Sequence, residues 1–278
     1  MRAGSFALLL CAAISCAFCA APEKVIKLGI VPFNSPAALV KTHRPLRDFL
    51  AQRLGCDVAI FTSVDHTQFL RDIVNGEFDI LLTTGHFIPF SKGIYTPVAA
   101  YKSNMEIAIV VGKNSSINKI SDLNDKLIGL PDRLSLYYIA ALHWLKKNLP
   151  EGRYQISEFP LHMAGIIAVS NRQLDAVFTA KQVFMQSSEE IKGKTRVLDI
   201  PAYILPPIIY ATSDNLDAET IKKVREALFE FEKTDEGKEF FLKTGYIGFR
   251  KITQKDIDSM NTYTQEVEEL SGIKIEDI

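Results

Sequence analysis

Five histidines, His43, His66, His86, His143 and His162, carry the most versatile chemistry of this 278-residue chain. Their spacings match none of the compact patterns that hold zinc. Metal binding would need His66, His86 and His162 to converge in a folded cleft, and it stands as a minor alternative. There is no GxxxxGK[ST] phosphate loop, no HExxH pair, no GxSxG elbow and no GxGxxG turn. No nucleophile–base pair for hydrolysis is evident, so an enzyme is disfavoured and no cofactor is expected. What remains is a set of hydroxyl, amide and imidazole donors at the ends of apolar runs. Thr83-Thr84-Gly85-His86-Phe87 falls at the C-terminal end of a strand-like run, where open α/β sheets receive ligands. Thr84 and His86 are the donors there, and Phe87 offers a face for stacking; a purely structural turn explains them equally well. Phe33-Asn34-Ser35 ends the first apolar run and opens a helix, giving Asn34, Ser35 and the free N–H groups of a helix start. As a plain N-cap, Ser35 needs no ligand.

A scaffold must bring such donors together, and the composition supplies one. The length suggests about two domains and a sizeable core. Apolar residues make up 47% and charged residues 23%, and 32 Lys+Arg against 33 Asp+Glu leave a net charge of -1. This is globular composition, with no basic excess for a nucleic-acid backbone. Apolar runs alternate between strand-like and helix-like periods: residues 25–31, 57–61 and 79–82 read as strands, 36–54 and 66–74 as helices. Pro36 after Ser35 starts the first helix and Gly55 stops it. After a β-rich run at 106–111 the alternation begins again, with strands at 127–130, 154–159, 175–178 and 196–200 and helices at 136–149, 162–170 and 180–191. A strand at 208–211 follows, then helices at 220–233, 235–244 and 254–270.

Alternation of this kind predicts an α/β protein with two lobes, each a mostly parallel sheet flanked by helices. The crossings near 106–111 and 208–211 act as two hinge strands. Residues 22–105 and 208–278 then form an outer lobe, and residues 106–207 an inserted one. The cleft between them suits closure around a small guest.

The first segment reads as an address. Met1-Arg2 supplies a positive charge, residues 6–20 are apolar and uncharged, and Ala21-Pro22-Glu23-Lys24 turns polar. This is a secretory leader over residues 1–21, cut after Cys19 or Ala21. An alternative is lipidation at Cys16, since Ala13-Ile14-Ser15-Cys16 approximates a lipobox. Either way the mature domain is expected in the periplasm. Cys11, Cys16 and Cys19 belong to this segment, which leaves Cys56 alone and excludes an intramolecular disulfide in the mature chain. Cys56 reads as a small packed residue in a helix-to-strand turn.

Several motifs in order resemble one family. They are Gly29-Ile30-Val31-Pro32, the helix from Pro45 to Gly55, Asn75-Gly76-Glu77-Phe78-Asp79-Ile80, Ile120-Ser121-Asp122-Leu123, Asn171-Arg172-Gln173-Leu174-Asp175-Ala176 and the tail from Asp235 to Phe249. Together they resemble the phosphate/phosphite/phosphonate-binding proteins of ABC transporters. The resemblance implies the type II periplasmic binding fold and capture of a small oxyanion between two lobes. It implies a membrane permease as partner and a monomeric receptor.

The family's phosphonate binders use a Ser-Thr-Ser run at the start of a helix in the inserted lobe. The matching stretch here is Pro131-Asp132-Arg133-Leu134-Ser135-Leu136-Tyr137-Tyr138, where only Ser135 keeps a family hydroxyl and Tyr137 offers a phenolic one. A helix N-terminus contributes at most about 2 kcal/mol toward an anion, whereas micromolar affinity needs about 8, so further donors are required. His162 resembles the family's second-lobe histidine. Carboxylates that hold the amine of aminoalkylphosphonates are absent after Asp175, where the chain reads Val177-Phe178-Thr179-Ala180-Lys181, and absent around Tyr203. An amine-bearing ligand is therefore disfavoured, and Lys181 either adds positive charge or lies solvated on its helix. Leu134, Leu136, Tyr137, Tyr138, Phe87 and Tyr203 suggest a pocket more apolar than inorganic phosphate requires. The competing function is a sensory module that uses the same closed form to engage a signalling partner in the membrane.

Overall fold

The computed structural model describes residues 25–103, 105–198 and 204–278. The leader, the lipid-anchor alternative at Cys16 and the expectation for Tyr203 lie outside the described residues. In chain order the regular elements are β1 (Ile26–Ile30), α1 (Pro36–Leu54), β2 (Val58–Phe61), α2 (His66–Val74), β3 (Ile80–Thr84), β4 (Tyr95–Tyr101) and β5 (Met105–Gly112). Then come β6 (Leu127–Leu130), α3 (Leu136–Asn148), β7 (Gln155–Glu158), α4 (His162–Ser170), β8 (Ala176–Ala180), α5 (Lys181–Met185), α6 (Glu189–Lys194) and β9 (Thr195–Val197). The last group is β10 (Ile204–Leu205), β11 (Ile208–Ser213), α7 (Ala218–Phe231), α8 (Asp235–Thr244), β12 (Phe249–Arg250), α9 (Gln254–Met260) and α10 (Thr264–Ser271).

Local chemistry fixes many of these boundaries. Ser35 caps α1 by accepting from Ala38 N, Pro36 occupies the first turn, and Gly55 ends the helix in the left-handed region at φ 70°. The buried stripe of α1 is Leu39, His43, Leu46 and Leu50, at spacings of four, three and four. Asp65 caps α2 through Gln68 N at 2.7 Å, and Phe69, Leu70 and Ile73 form its core face.

Two six-stranded sheets result, the first in the order β12-β4-β11-β3-β1-β2. The second runs β10-β5-β8-β6-β7, with β9 also paired to β5. Each sheet with its helices forms one lobe. The sheets are mixed rather than mostly parallel. In the first, β1 pairs parallel with β2 and β3, whereas β11 lies antiparallel to β3 and β4, and β12 antiparallel to β4. In the second, β6 is parallel to β7 and β8, and β5 is antiparallel to β8, β9 and β10. The reason is the crossing: β5 and β11 each arrive from the other lobe and enter against the parallel strands.

Other differences are local. The helix expected over 180–191 breaks into α5 and α6, because the Ser188 hydroxyl accepts from Ile191 N and caps a new helix. The helix expected over 254–270 is interrupted by a 3-10 turn, Asn261–Tyr263. Strand β4 escaped the alternation because Pro97 interrupts its pattern; Pro97 pairs with Ala211 next to a register shift. Only residues 195–198 of the expected strand at 196–200 and its surroundings are described, and β9 ends at Val197.

The chain passes between lobes from Tyr101 to Met105 and returns through Pro206-Pro207. Aromatic packing stiffens this waist. The Tyr101 and Tyr210 hydroxyls are hydrogen-bonded at 2.8 Å, and Tyr101 stacks on Tyr246 with centroids 4.1 Å apart. The main core runs through both lobes, and a smaller one under α4 joins Ala108, Val110, Ile166 and Val177. Successive β5 residues thus face different cores, as a strand covered on both sides must.

Candidate functional site

A cavity of about 570 Å³ opens where the lobes meet. Its first-lobe wall comes from the β1–α1 connection (Val31, Phe33, Asn34), one face of α1 (Ala38, Lys41, Thr42, His43, Pro45), Thr84 at the end of β3, and α8 with the residues after it (Glu236, Glu239, Phe240, Lys243, Thr244, Tyr246). Its second-lobe wall comes from Met105, Tyr137, His162, Ala180, Gln182, Val183 and Gln186. Gly237 explains how α8 starts so close to α7: a Cβ there would run into the Phe231 carbonyl.

Of the residues singled out from the sequence, Asn34, Thr84, Tyr137 and His162 line this cavity. The other four do not. Ser35 is exposed at its cap. Ser135 is buried, and its hydroxyl accepts from Tyr138 N at 3.2 Å as the N-cap of α3. His86 is fully buried, stacked on Phe87 at 4.1 Å, and its Nε2 meets the Leu134 carbonyl of the other lobe at 2.9 Å. Lys181 pairs with Glu106 at 2.6 Å in a shallow groove that Met185 and Leu242 also line. His66, His86 and His162 do not assemble into a metal centre, and no group of three potential ligands does so among the described residues.

The polar groups of the cavity are neutral in a defined way. His162 Nδ1 accepts from Ala180 N at 3.3 Å, so its proton sits on Nε2. Burial pushes its pKa down to about 3, with His66 adding to the effect. The Tyr137 ring lies edge-on to His162, 4.8 Å away, and burial raises the phenol well above its usual range. Desolvation acts likewise on Tyr246. Thr84 Oγ1 is buried without a partner. Charged groups sit toward solvent: Lys41, Glu236, Glu239 and Lys243 are all exposed. The rest of the wall sets the polar Thr42, Gln182, Gln186 and Thr244 among a broad apolar surface from Val31, Phe33, Ala38, Pro45, Met105, Val183, Ile208 and Phe240.

Sequence reasoning missed His43 and the whole contribution of α8 and Tyr246. Their periodicity reads as core packing. For His43 the one available signal was a histidine on the buried stripe of α1, which an entirely apolar face would not need.

Polar contacts also tie the lobes together around the cavity. Besides His86, His66 Nδ1 lies 3.5 Å from Asp132 Oδ1 and His143 Nε2 2.5 Å from Glu266. Gln186 Nε2 donates to the Lys243 and Thr244 carbonyls at 3.1 and 3.0 Å. Such an arrangement can enclose a small guest between the lobes.

Solved structures share this architecture. PhnD1 from Prochlorococcus marinus, in complex with methylphosphonate, superposes with a TM-score of 0.73 at 16% identity, covering 90% of this chain and 99% of that one. A binding protein component of an ABC phosphonate transporter from Pseudomonas aeruginosa gives 0.66 at 17% identity, covering 92% and 97%. An ancestral arginine-binding protein bound to arginine gives 0.58 at 19% identity, covering 79% and 97%. At these identities the likeness establishes the fold, that of type II periplasmic binding proteins. The family described as "ABC transporter, phosphonate, periplasmic substrate-binding protein" matches residues 28–257. The chain belongs to that family, and it is a substrate-binding component of an ABC transporter.

Proposed function

We propose that this protein captures an organophosphonate in the cavity between its lobes and delivers it, chemically unchanged, to a membrane permease. The observation that carries the reading is the cavity wall, which combines uncharged donors with a broad apolar surface. Tyr137 and the His162 Nε2–H reach the phosphoryl oxygens from the inserted lobe (residues 106–207), and Thr84 and Asn34 from the outer lobe (residues 22–105 and 208–278). The volume, about 570 Å³, favours a substituent of several carbons over inorganic phosphate. Export by the leader, a monomeric state and the absence of turnover belong to the same reading.

The test is a calorimetric series with the leaderless protein and phosphate, methyl-, ethyl-, propyl- and butylphosphonate. Each added methylene should contribute up to about 0.8 kcal/mol, roughly fourfold in Kd, until the apolar wall is covered. Tightest binding of inorganic phosphate would refute it.

A second reading places an ammonium group on the substituent, contrary to the expectation from the segment after Asp175. It is favoured by the carboxylates of α8: Glu239 pairs with Lys243 at 2.5 Å, whereas Glu236 has no ion-pair partner among the described residues. Aminoethylphosphonate binding more tightly than propylphosphonate would select this reading.

A further inference from the structure

His43 is the cavity residue that phosphoryl capture leaves unexplained. It is 1% exposed on the buried face of α1, and it lines the cavity beside Thr42 and Phe33. Its Nδ1 lies 3.0 Å from the Leu39 carbonyl oxygen. A carbonyl only accepts, so Nδ1 is the nitrogen that carries the proton. Nε2 is thereby a bare lone pair, and it is buried without a partner. The Phe33 and Phe240 rings stand at 6.2 and 5.7 Å from the imidazole and keep it in place. Desolvation lowers its pKa to about 4, so protonation at neutral pH does not convert this acceptor into a donor. His162, on the opposite wall, has the reverse polarity, with Nδ1 accepting and Nε2 donating. One wall therefore offers a proton and the other asks for one. An orphaned buried acceptor of this kind is destabilising, and a guest relieves that cost only by donating to it.

A fully ionised oxyanion has no proton to give. A singly protonated phosphonate has both faces, oxygens that accept and one P–OH that donates. We propose that His43 selects guests that present a hydrogen-bond donor on the oxyanion head, so that the protein takes up the monoanion R–PO2(OH)− and rejects both the dianion and the isosteric sulfonate R–SO3−. Thr84 Oγ1, also without a partner on the same lobe, donates or accepts as the bound head requires. This inference rests on the proposed capture of an organophosphonate and adds the protonation state that is captured.

The experiment is a calorimetric comparison of propylphosphonate and propanesulfonate with the leaderless protein at about pH 6 and about pH 8.5, which straddle the second ionisation of the phosphonate but leave the sulfonate a monoanion. The titratable groups that share the cavity wall with His43 are Lys41 on its own helix, Glu236, Glu239 and Lys243 from α8, Tyr246 after it, and Tyr137 and His162 from the other lobe. Any effect of their titration appears in the sulfonate, which is the control. Phosphonate should bind at least about tenfold more tightly than sulfonate at the lower pH, and that preference should shrink at the higher one. His43→Phe, with folding checked by its melting temperature, should bind the two ligands alike at both pH values. Equal affinity of the unaltered protein for both ligands at the lower pH, or a preference that grows with pH, overturns the role of His43 and leaves phosphonate capture standing. Failure of both ligands and of every other phosphonate to bind overturns both.

Discussion

Three imidazoles, those of His43, His86 and His162, are held uncharged by burial, with pKa values pushed down to about 4, about 3 and about 3. Their unfolded counterparts titrate near 6.5, so between about pH 6.5 and about pH 4 the unfolded chain binds more protons than the folded one. Stability must therefore fall as the pH drops through that window, and it is fully present above it. A tenfold difference in proton affinity between the folded and unfolded chain corresponds to about 1.4 kcal/mol, so the combined loss by about pH 4 reaches several kcal/mol. A chemical-denaturation series should show it, and His86→Gln should flatten the curve. A pH-independent midpoint over that range would mean that these rings are open to solvent. Tyr137 supports a separate expectation. The residue lines the cavity, and Tyr137→Phe removes its hydroxyl while keeping the ring against His162. Affinity for propylphosphonate should fall by about tenfold with little change in melting temperature, the cost of one hydrogen bond to a charged group. Unaltered affinity would remove Tyr137 from the contact set.

Helix α3 shows why an element boundary and a ligand contact are easily confused in sequence. Ser135 precedes an apolar helix and keeps one hydroxyl of the family's donor run, so cap and anion clasp read identically. In the folded chain its oxygen is occupied by Tyr138 N at 3.2 Å. Ser135→Ala should therefore cost about 1 kcal/mol of stability and alter the propylphosphonate Kd by less than about twofold. A tenfold loss of affinity at unchanged stability would restore it to the site. The elements that were legible are those set by neighbours in the chain: the Ser35 cap with Pro36, the Gly55 stop, the alternation from β1 to β3 and the restart at β6. What was illegible depended on partners far away in the chain. Strand β4 hides its pattern behind Pro97 and is defined by β11, more than a hundred residues on. The second half of the first-lobe wall comes from α8, whose Phe240 and Thr244 look like an ordinary core stripe until the helix is laid against α1. His86 was visible as a donor at a strand end, but its acceptor, the Leu134 carbonyl, belongs to the other lobe.

At the scale of the molecule, the cavity is closed by contacts between the lobes, most of them outside its wall. His86 to Leu134, His66 to Asp132, His143 to Glu266 and Gln186 to the end of α8 all join one lobe to the other. Whatever stabilises the closed arrangement relative to the open one is added to the affinity of a guest that requires closure. The His143–Glu266 contact is the cleanest to test, since both side chains are about one-third exposed and neither lines the cavity. A partly exposed pair of this kind contributes about 0.5–1 kcal/mol, so Glu266→Gln should raise the Kd for propylphosphonate by about two- to fivefold. The change should appear as faster dissociation, because opening precedes release. Small-angle scattering should show the free variant more expanded than the free unaltered protein and the two ligand-saturated forms alike. A slower association rate with unchanged dissociation would instead place the effect on encounter. Identical scattering with and without ligand would show that the lobes do not move against each other, and the histidine contacts would then be part of a rigid body.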